Sequence, residues 1–223
     1  MKVASLFSGG KDSAFAAYVT IQHGWEVPYF VSVLSESDSS YMFHVPNVHL
    51  TSLQAEAAGA KYVEVKTKGE KEKELDDLKR ALSKLEIDGV ISGAVASEYQ
   101  RTRIERICDE LGIKSFAPLW HKDPRMLVRD MIEAQFDIRI VGAFAEGFDS
   151  SWLGKKLDMA AYEDLCRLND RYGVSVSGEG GEYESLVLDC PMFGKRLEIV
   201  ESQKEWKRSS GTLRIIDAKL VEK

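Results

Sequence analysis

Val3-Ala4-Ser5-Leu6-Phe7-Ser8-Gly9-Gly10-Lys11-Asp12-Ser13 is the stretch on which the fold turns. Val3 to Phe7 is an apolar run of strand length, and Ala14 to His23, closed by Gly24, reads as a helix. The residues between them form a strand-to-helix turn. There the first helical N–H groups are unpaired and the helix end carries a partial charge of about +0.5, a setting that favours an anion. Gly9 and Gly10 let the backbone approach that anion without an intervening Cβ. Ser8 and Ser13 add hydroxyl donors, and Lys11 adds a mobile cation. Asp12 would repel phosphate directly, so it either caps the helix or holds a metal ion. Neither the Walker A spacing nor the G-x-G-x-x-G dinucleotide fingerprint is present.

Outward from this loop, strands alternate with helices. Tyr29 to Leu34, Tyr62 to Val65, Val90-Ile91 and Ile113 to Phe116 read as strands. Ser52 to Ala58, Glu70 to Leu85 and Thr102 to Leu111 read as helices, and Gly59 and Gly112 stop two of them. In the second of these, Leu75, Leu78, Leu82 and Leu85 share one face and the charges form a solvated one. Such alternation implies βαβ units with right-handed crossovers, hence an α/β, Rossmann-like three-layer αβα parallel sheet. Past Ala117-Pro118-Leu119-Trp120 the pattern changes. A helix (Pro124 to Ala134), a strand (Asp137 to Ala143) and a helix (Met159 to Tyr172) precede three strands, Ser185 to Leu188, Leu197 to Glu205 and Gly211 to Leu220. These late strands read as antiparallel. The expectation is a nucleotide-binding domain over residues 1–120 and a smaller α+β lobe over 121–223, closely packed together.

Composition narrows the function. The chain has 223 residues, 44% hydrophobic and 30% charged, which is ordinary for a globular protein. Thirty basic residues against thirty-six acidic ones leave a net charge of −6, which argues against general nucleic-acid binding. Cys108, Cys166 and Cys190 are far apart with no CxxC pair, so neither a zinc knuckle nor a redox couple is indicated, and buried cysteines in a reducing compartment are expected. No signal segment is legible and no run approaches the ~18 apolar residues of a membrane span, so the expected setting is cytoplasmic, with no membrane partner.

The phosphate loop resembles the signature of the N-type ATP pyrophosphatases, in the adenine nucleotide α-hydrolase-like superfamily. That resemblance implies ATP cleaved to AMP and pyrophosphate, with the loop gripping the leaving pyrophosphate. Further stretches narrow it. Ser92-Gly93-Ala94-Val95-Ala96-Ser97-Glu98-Tyr99-Gln100-Arg101-Thr102-Arg103-Ile104-Glu105, followed by Ala117-Pro118-Leu119-Trp120, resembles the central motif of the diphthine–ammonia ligases. Gly178-Glu179-Gly180-Gly181-Glu182-Tyr183-Glu184-Ser185 is similar to their C-terminal signature, and Tyr41 to Asn47 to the loop after their second strand. The resemblance covers the whole chain. It implies condensation of ammonia with the carboxylate of diphthine, a modified histidine of translation elongation factor 2, using ATP and Mg²⁺ through an acyl-adenylate. The alternative keeps adenylation but changes the acceptor, for example to a tRNA base. A non-enzymatic nucleotide sensor would need a later glycine motif that is absent. The sequence leaves a homodimer open.

The resemblance implies a site with several parts. Ser8, Gly9, Gly10, Lys11, Asp12 and Ser13 would hold the phosphates, with Leu34, Ser35, His44 and Gly93 completing the nucleotide site. Asp12 is the metal candidate, and Lys11, Asp12, Arg101 and Glu182 form the expected catalytic set. Guanidinium forks suit phosphate and carboxylate alike, so Arg101 or Arg103 is expected to bind one or the other. Glu98, Tyr99 and Gln100 join them on the substrate side. The competing reading of this run is an exposed i,i+4 network, such as Arg101 with Glu105. Glu179, Glu182 and Glu184 would face the cation of diphthine, with Tyr183 as an aromatic face, unless the segment is only a solvated turn. His44 is either structural or catalytic.

Because the loop is of the pyrophosphatase type, ATP turned over by this chain should yield AMP and pyrophosphate in equal amounts. Product chromatography checks this, and stoichiometric ADP with orthophosphate would contradict it.

Overall fold

The structure is a computed structural model that describes residues 1–35, 47–68 and 73–223. The first part of the chain runs β1 (Lys2–Leu6), α1 (Lys11–Gln22), β2 (Glu26–Ser35), α2 (Thr51–Ala57), β3 (Lys61–Thr67), α3 (Lys73–Leu82), β4 (Gly89–Ile91), α4 (Glu98–Leu111) and β5 (Lys114–Phe116). Its strands form one parallel sheet in the order β3-β2-β1-β4-β5. The chain steps outward from β1 to β2 and β3, then returns to place β4 on the other side of β1. The carboxyl ends of β1 and β4 therefore mark the point where the winding reverses, and a crevice opens there in sheets of this type.

The second part contains α5 (Pro124–Glu133), β6 (Asp137–Ala143), α6 (Met159–Tyr172), β7 (Tyr183–Asp189), β8 (Arg196–Lys207) and β9 (Ser210–Val221). Its sheet has the order β7-β6-β9-β8, and every pair in it is antiparallel. The expected architecture is confirmed, an α/β Rossmann-like sheet followed by a smaller α+β lobe.

Two apolar clusters hold these layers. One covers a single face of the parallel sheet with Leu75, Leu78 and Leu82 of α3 and Ile104 and Ile107 of α4. The other starts on the opposite face at Val3 and Phe7, passes through α1 and continues into Ile138 and Ile140 of β6. Phe15 of α1 meets Phe136 edge to face at 5.4 Å between ring centroids, on the seam between the two sheets. Asn47 is buried and left-handed (φ 65), and its side chain bonds Leu213 O at 2.9 Å and Ile215 N at 2.8 Å. That is a polar tie from the parallel half into β9.

Helix starts differ from expectation where they bear on the site. Helix α1 begins at Lys11, three residues before Ala14, because Gly10 takes the extended N-cap conformation. No side chain caps it, so Asp12 does not cap the helix. Helix α4 begins at Glu98, where the Ser97 hydroxyl accepts the Gln100 N–H. The polar run from Glu98 to Glu105 is therefore helix rather than loop. Residues 70–72 of the expected third helix lie outside the described residues. All three cysteines are free, with Cys108 and Cys190 buried and Cys166 half-buried.

Since one apolar cluster runs through both sheets, the chain should unfold in one step. Phe15→Ala should cost about 3–5 kcal/mol, with far-ultraviolet dichroism and tryptophan fluorescence still reporting one midpoint. Two separated midpoints would mean that the sheets unfold independently.

Candidate active site

The loop after β1 is held from three sides. Gly9 adopts φ +82, which favours glycine, and a Cβ there would stand 2.5 Å from Gln54 Oε1. The Gly9 carbonyl accepts the Val187 N–H at 3.0 Å and the Gln54 side-chain amide, also at 3.0 Å. Gln54 is fully buried and donates to Val187 O as well, at 2.7 Å. The Lys11 N–H donates to the Ser185 hydroxyl at 3.1 Å. Strand β7 of the second sheet thus fastens the loop, while the Ser8 N–H and the Ser8 hydroxyl engage Ser13 Oγ at 3.2 and 3.1 Å. The Gly9 carbonyl is turned away, the Gly10 and Lys11 N–H groups are taken by the Ser8 and Ser185 hydroxyls, and the later amides of the first helical turn are those placed to meet an anion.

Gly93, at the end of β4, packs on the same helix start. A Cβ on it would lie 2.6 Å from Ser13 N and 2.7 Å from Asp12 C, so only glycine fits without moving backbone. A cleft of about 480 Å³ opens above these two loops. Ser8, Asp12 and Ser13 form its floor, Val31 and Val33 of β2 one wall, and Ser92, Gly93 and Gln100 another. Glu179 and Glu184 close it from the second lobe.

Lys11 is not the mobile cation expected. It is 3% exposed, its Nζ lies 2.7 Å from Asp12 Oδ2, and it sits 5.2 Å from the centroid of the Tyr183 ring. Burial alone would lower its pKa, but the Asp12 carboxylate and Glu179 more than offset that and hold it above the ordinary lysine range. It stays charged. Among the described residues, buried Asp12 Oδ1 has no hydrogen-bond partner. An orphaned carboxylate oxygen beside a phosphate loop suits a hard divalent cation such as Mg²⁺, which takes one or two carboxylates and shares the rest of its shell with phosphate and water. Among the described residues no group of three or more His, Cys, Asp or Glu side chains converges to hold a metal alone.

The second-lobe segment divides its work. Glu182 accepts the Ser175 N–H at 3.0 Å and the Gly180 N–H at 2.8 Å, so its carboxylate staples the loop instead of facing the cleft. Tyr183 is buried beneath Lys11 and donates its hydroxyl to Val176 O at 2.8 Å, which removes it as an open aromatic face. Glu179 and Glu184 do face the cleft. Desolvation raises the pKa of both, the Asp12 charge adds to this, and the Lys11 charge works against it.

The polar start of α4 is mostly a surface network. Arg101 pairs with Glu98 and with Glu105, each at 3.0 Å, and lies 4.7 Å from the Trp120 ring centroid. Arg103 stacks on Tyr99 at 3.5 Å. Among the expected substrate residues of this run, Gln100 lines the cleft, while Glu98, Tyr99, Arg101 and Arg103 do not. Leu34 is half-buried, Ser35 ends β2, and Val31 and Val33 supply that wall instead. His44 lies outside the described residues. Sequence reading missed Gln54 and Ser185 as supports of the loop. The one available signal was a glutamine among the alanines of a short amphipathic helix.

Two family models match the chain, the diphthamide synthase N-terminal domain over residues 1–115 and the diphthamide synthase C-terminal domain over residues 123–221. The chain belongs to the diphthamide synthase family. Its relatives include the diphthine–ammonia ligase of Homo sapiens, 36% identical over 228 residues, which span 92% of this chain and 84% of that protein. The diphthine–ammonia ligase of Danio rerio is 32% identical over 222 residues, 89% of this chain and 86% of that one. In Schizosaccharomyces pombe the protein of the same name is 34% identical over 91% of this chain, but the match spans only 37% of its own length. In this family member the phosphate loop and the GEGGEYES segment face each other across one cleft.

Glu184 gives a pH test of that cleft. Its folded-state pKa lies above the unfolded one, so the folded chain holds the proton more tightly. Stability is therefore lost as pH rises from the unfolded value through the folded one. Glu184→Gln should raise the melting temperature by a few degrees at pH 7 and give no gain at pH 4. An equal change at both pH values in calorimetry would show that charge is not the cause.

Proposed function

We propose that this member of the diphthamide synthase family amidates diphthine on translation elongation factor 2 with ammonia, in an ATP-dependent ligase reaction that releases AMP and pyrophosphate. The observation that carries the reading is one cleft floored by the phosphate loop and closed by Glu179 and Glu184 of the second lobe. A nucleotide and a cationic protein side chain meet where those two sets of groups meet.

The triphosphate lies at the start of α1, where backbone amides and the Ser8 and Ser13 hydroxyls receive it. The diphthine carboxylate attacks the α-phosphorus, forming an acyl-adenylate and expelling pyrophosphate. Charge then develops on the oxygens nearest the loop, and the fixed donors there lower the barrier without reorganising. Lys11, charged and buried directly beneath, is ion-paired to Asp12 and orients that carboxylate rather than acting as a reaching ammonium. Asp12 Oδ1 would hold Mg²⁺, which supplies charge neutralisation on the phosphates. Ammonia next attacks the acyl carbon, AMP departs, and the nitrogen loses a proton. Glu179, with its raised pKa and its place on the cleft, is suited to take that proton. Apolar walls at Val31 and Val33 suit the adenosine end.

The test incubates the chain with diphthine-bearing elongation factor 2, ATP, Mg²⁺ and ammonium, then measures the mass of the factor. Carboxyl-to-amide conversion is expected, with one AMP per amide formed. Asp12→Asn should lower kcat by about 100-fold, comparable to loss of a charge-stabilising donor. An unmodified factor, or conversion untouched by Asp12→Asn, would overturn the reading.

A further inference from the structure

A fixed cation needs an open aromatic face, and the aromatic rings already described around the cleft do not offer one. Lys11 occupies the face of Tyr183, Arg103 that of Tyr99, and Arg101 that of Trp120. Phe7 lines the cleft but is 2% exposed and stacked on Phe30 at 4.1 Å. Phe144, one residue beyond β6, is different: it lies outside the lining of the cleft, next to Glu184 of that lining, and is 41% exposed.

Its position follows from the register of β6 and β7. Gly142 pairs with Glu184, so the two occupy the same face of the sheet, and Phe144, two residues on, follows on that face. Gly142 has no side chain, and the Phe144 ring folds back over it. A Cβ at Gly142 would lie 2.7 Å from both Phe144 Cε2 and Cζ, and 3.0 Å from Glu184 Cβ. The ring therefore rests in the space that any other residue at 142 would fill, directly beside a carboxylate that lines the cleft. Its backbone is fixed as well, since the Phe144 N–H donates to Glu182 O at 2.9 Å. Glu182 is in turn stapled to Ser175 and Gly180. The main chain that carries the ring is thus fixed before any ligand arrives, which limits the entropy lost on binding.

We infer that Phe144, with Glu184 beside it, is the recognition corner for the methylated quaternary ammonium of the substrate. Ring and carboxylate together suit a cation that is permanently charged yet apolar on its surface. A bare ammonium would lose its hydration there, whereas a trimethylammonium presents methyl groups to the ring. The inference rests on the proposed diphthine amidation, and it gives Phe144 a specificity role in place of Tyr183.

Two readouts separate the corner from the reaction. In amidation assays on the intact chain, Phe144→Leu should raise KM for the diphthine-bearing factor by about 10-fold, the range of a partly desolvated cation–π contact. KM for ATP should stay within about twofold, and Phe144→Trp should restore the factor's KM. By proton saturation-transfer, the methyl groups of tetramethylammonium chloride should receive magnetisation from the wild-type chain. Phe144→Leu should lose most of that transfer with an unchanged melting temperature. Equal transfer and equal KM in wild type and Phe144→Leu would overturn the inference. If the wild-type chain fails to amidate but the transfer still depends on Phe144, the cation corner stands and the diphthine reading falls.

Discussion

Everything at the site depends on the carbonyl of Gly9 being held from behind. Val187 N–H and the Gln54 amide both bind it, and the Lys11 N–H is tied to Ser185. A glycine pair loses more entropy on ordering than any other dipeptide, so this loop would not hold an anion-ready shape by local preference. The order comes from β7, more than 170 residues away in the chain, and from one buried glutamine. The loop after β1 is thus completed by the second lobe.

Charge is distributed accordingly. Among the described residues, three carboxylates, Asp12, Glu179 and Glu184, face the cleft, against one buried cation whose charge Asp12 already shares. A polyanion entering such a space would be repelled unless cations accompany it. A hard metal at the orphaned Asp12 oxygen would meet that need on the phosphate side, and the permanently charged substrate proposed above would meet it on the lobe side. The two arginines of α4 do not, because Glu98, Glu105 and the Tyr99 ring already engage them. Helical spacing decided between the two readings of that run, since i,i+3 and i,i+4 partners lie within reach at every step.

Much of the architecture was legible because it obeys local rules. Apolar runs and their glycine stops locate the strands and helices, and strand-helix alternation fixes the parallel sheet. The strand-to-helix turn at residues 7–10 was legible from its place after the first strand. Tyr183 and Glu182 were misplaced for a common reason. Composition shows that a segment is rich in carboxylates and rings but says nothing of which ones the fold consumes internally. Glu182 is consumed by the Ser175 and Gly180 amides, and Tyr183 by Lys11 and the Val176 carbonyl. Phe144 went unnoticed because an aromatic at a strand end ordinarily reads as core. Only the cross-strand pairing of Gly142 with Glu184 shows what the ring covers.

Gly93 has a further consequence. Its Cα stands so near the backbone of Asp12 and Ser13 that the turn after β4 and the start of α1 are in direct main-chain contact. Steric contact of that kind, unlike a pair of side chains, has no rotamers through which to yield. The two turns that flank the crevice are therefore one rigid jaw, and β7 is tied to the same jaw through Ser185 and Val187. A recombinant that borrowed the parallel sheet for another protein would inherit the jaw but not its backing strand, so homologous exchange between such enzymes has a natural unit larger than the nucleotide fold, one that takes the Ser185–Val187 edge along with it.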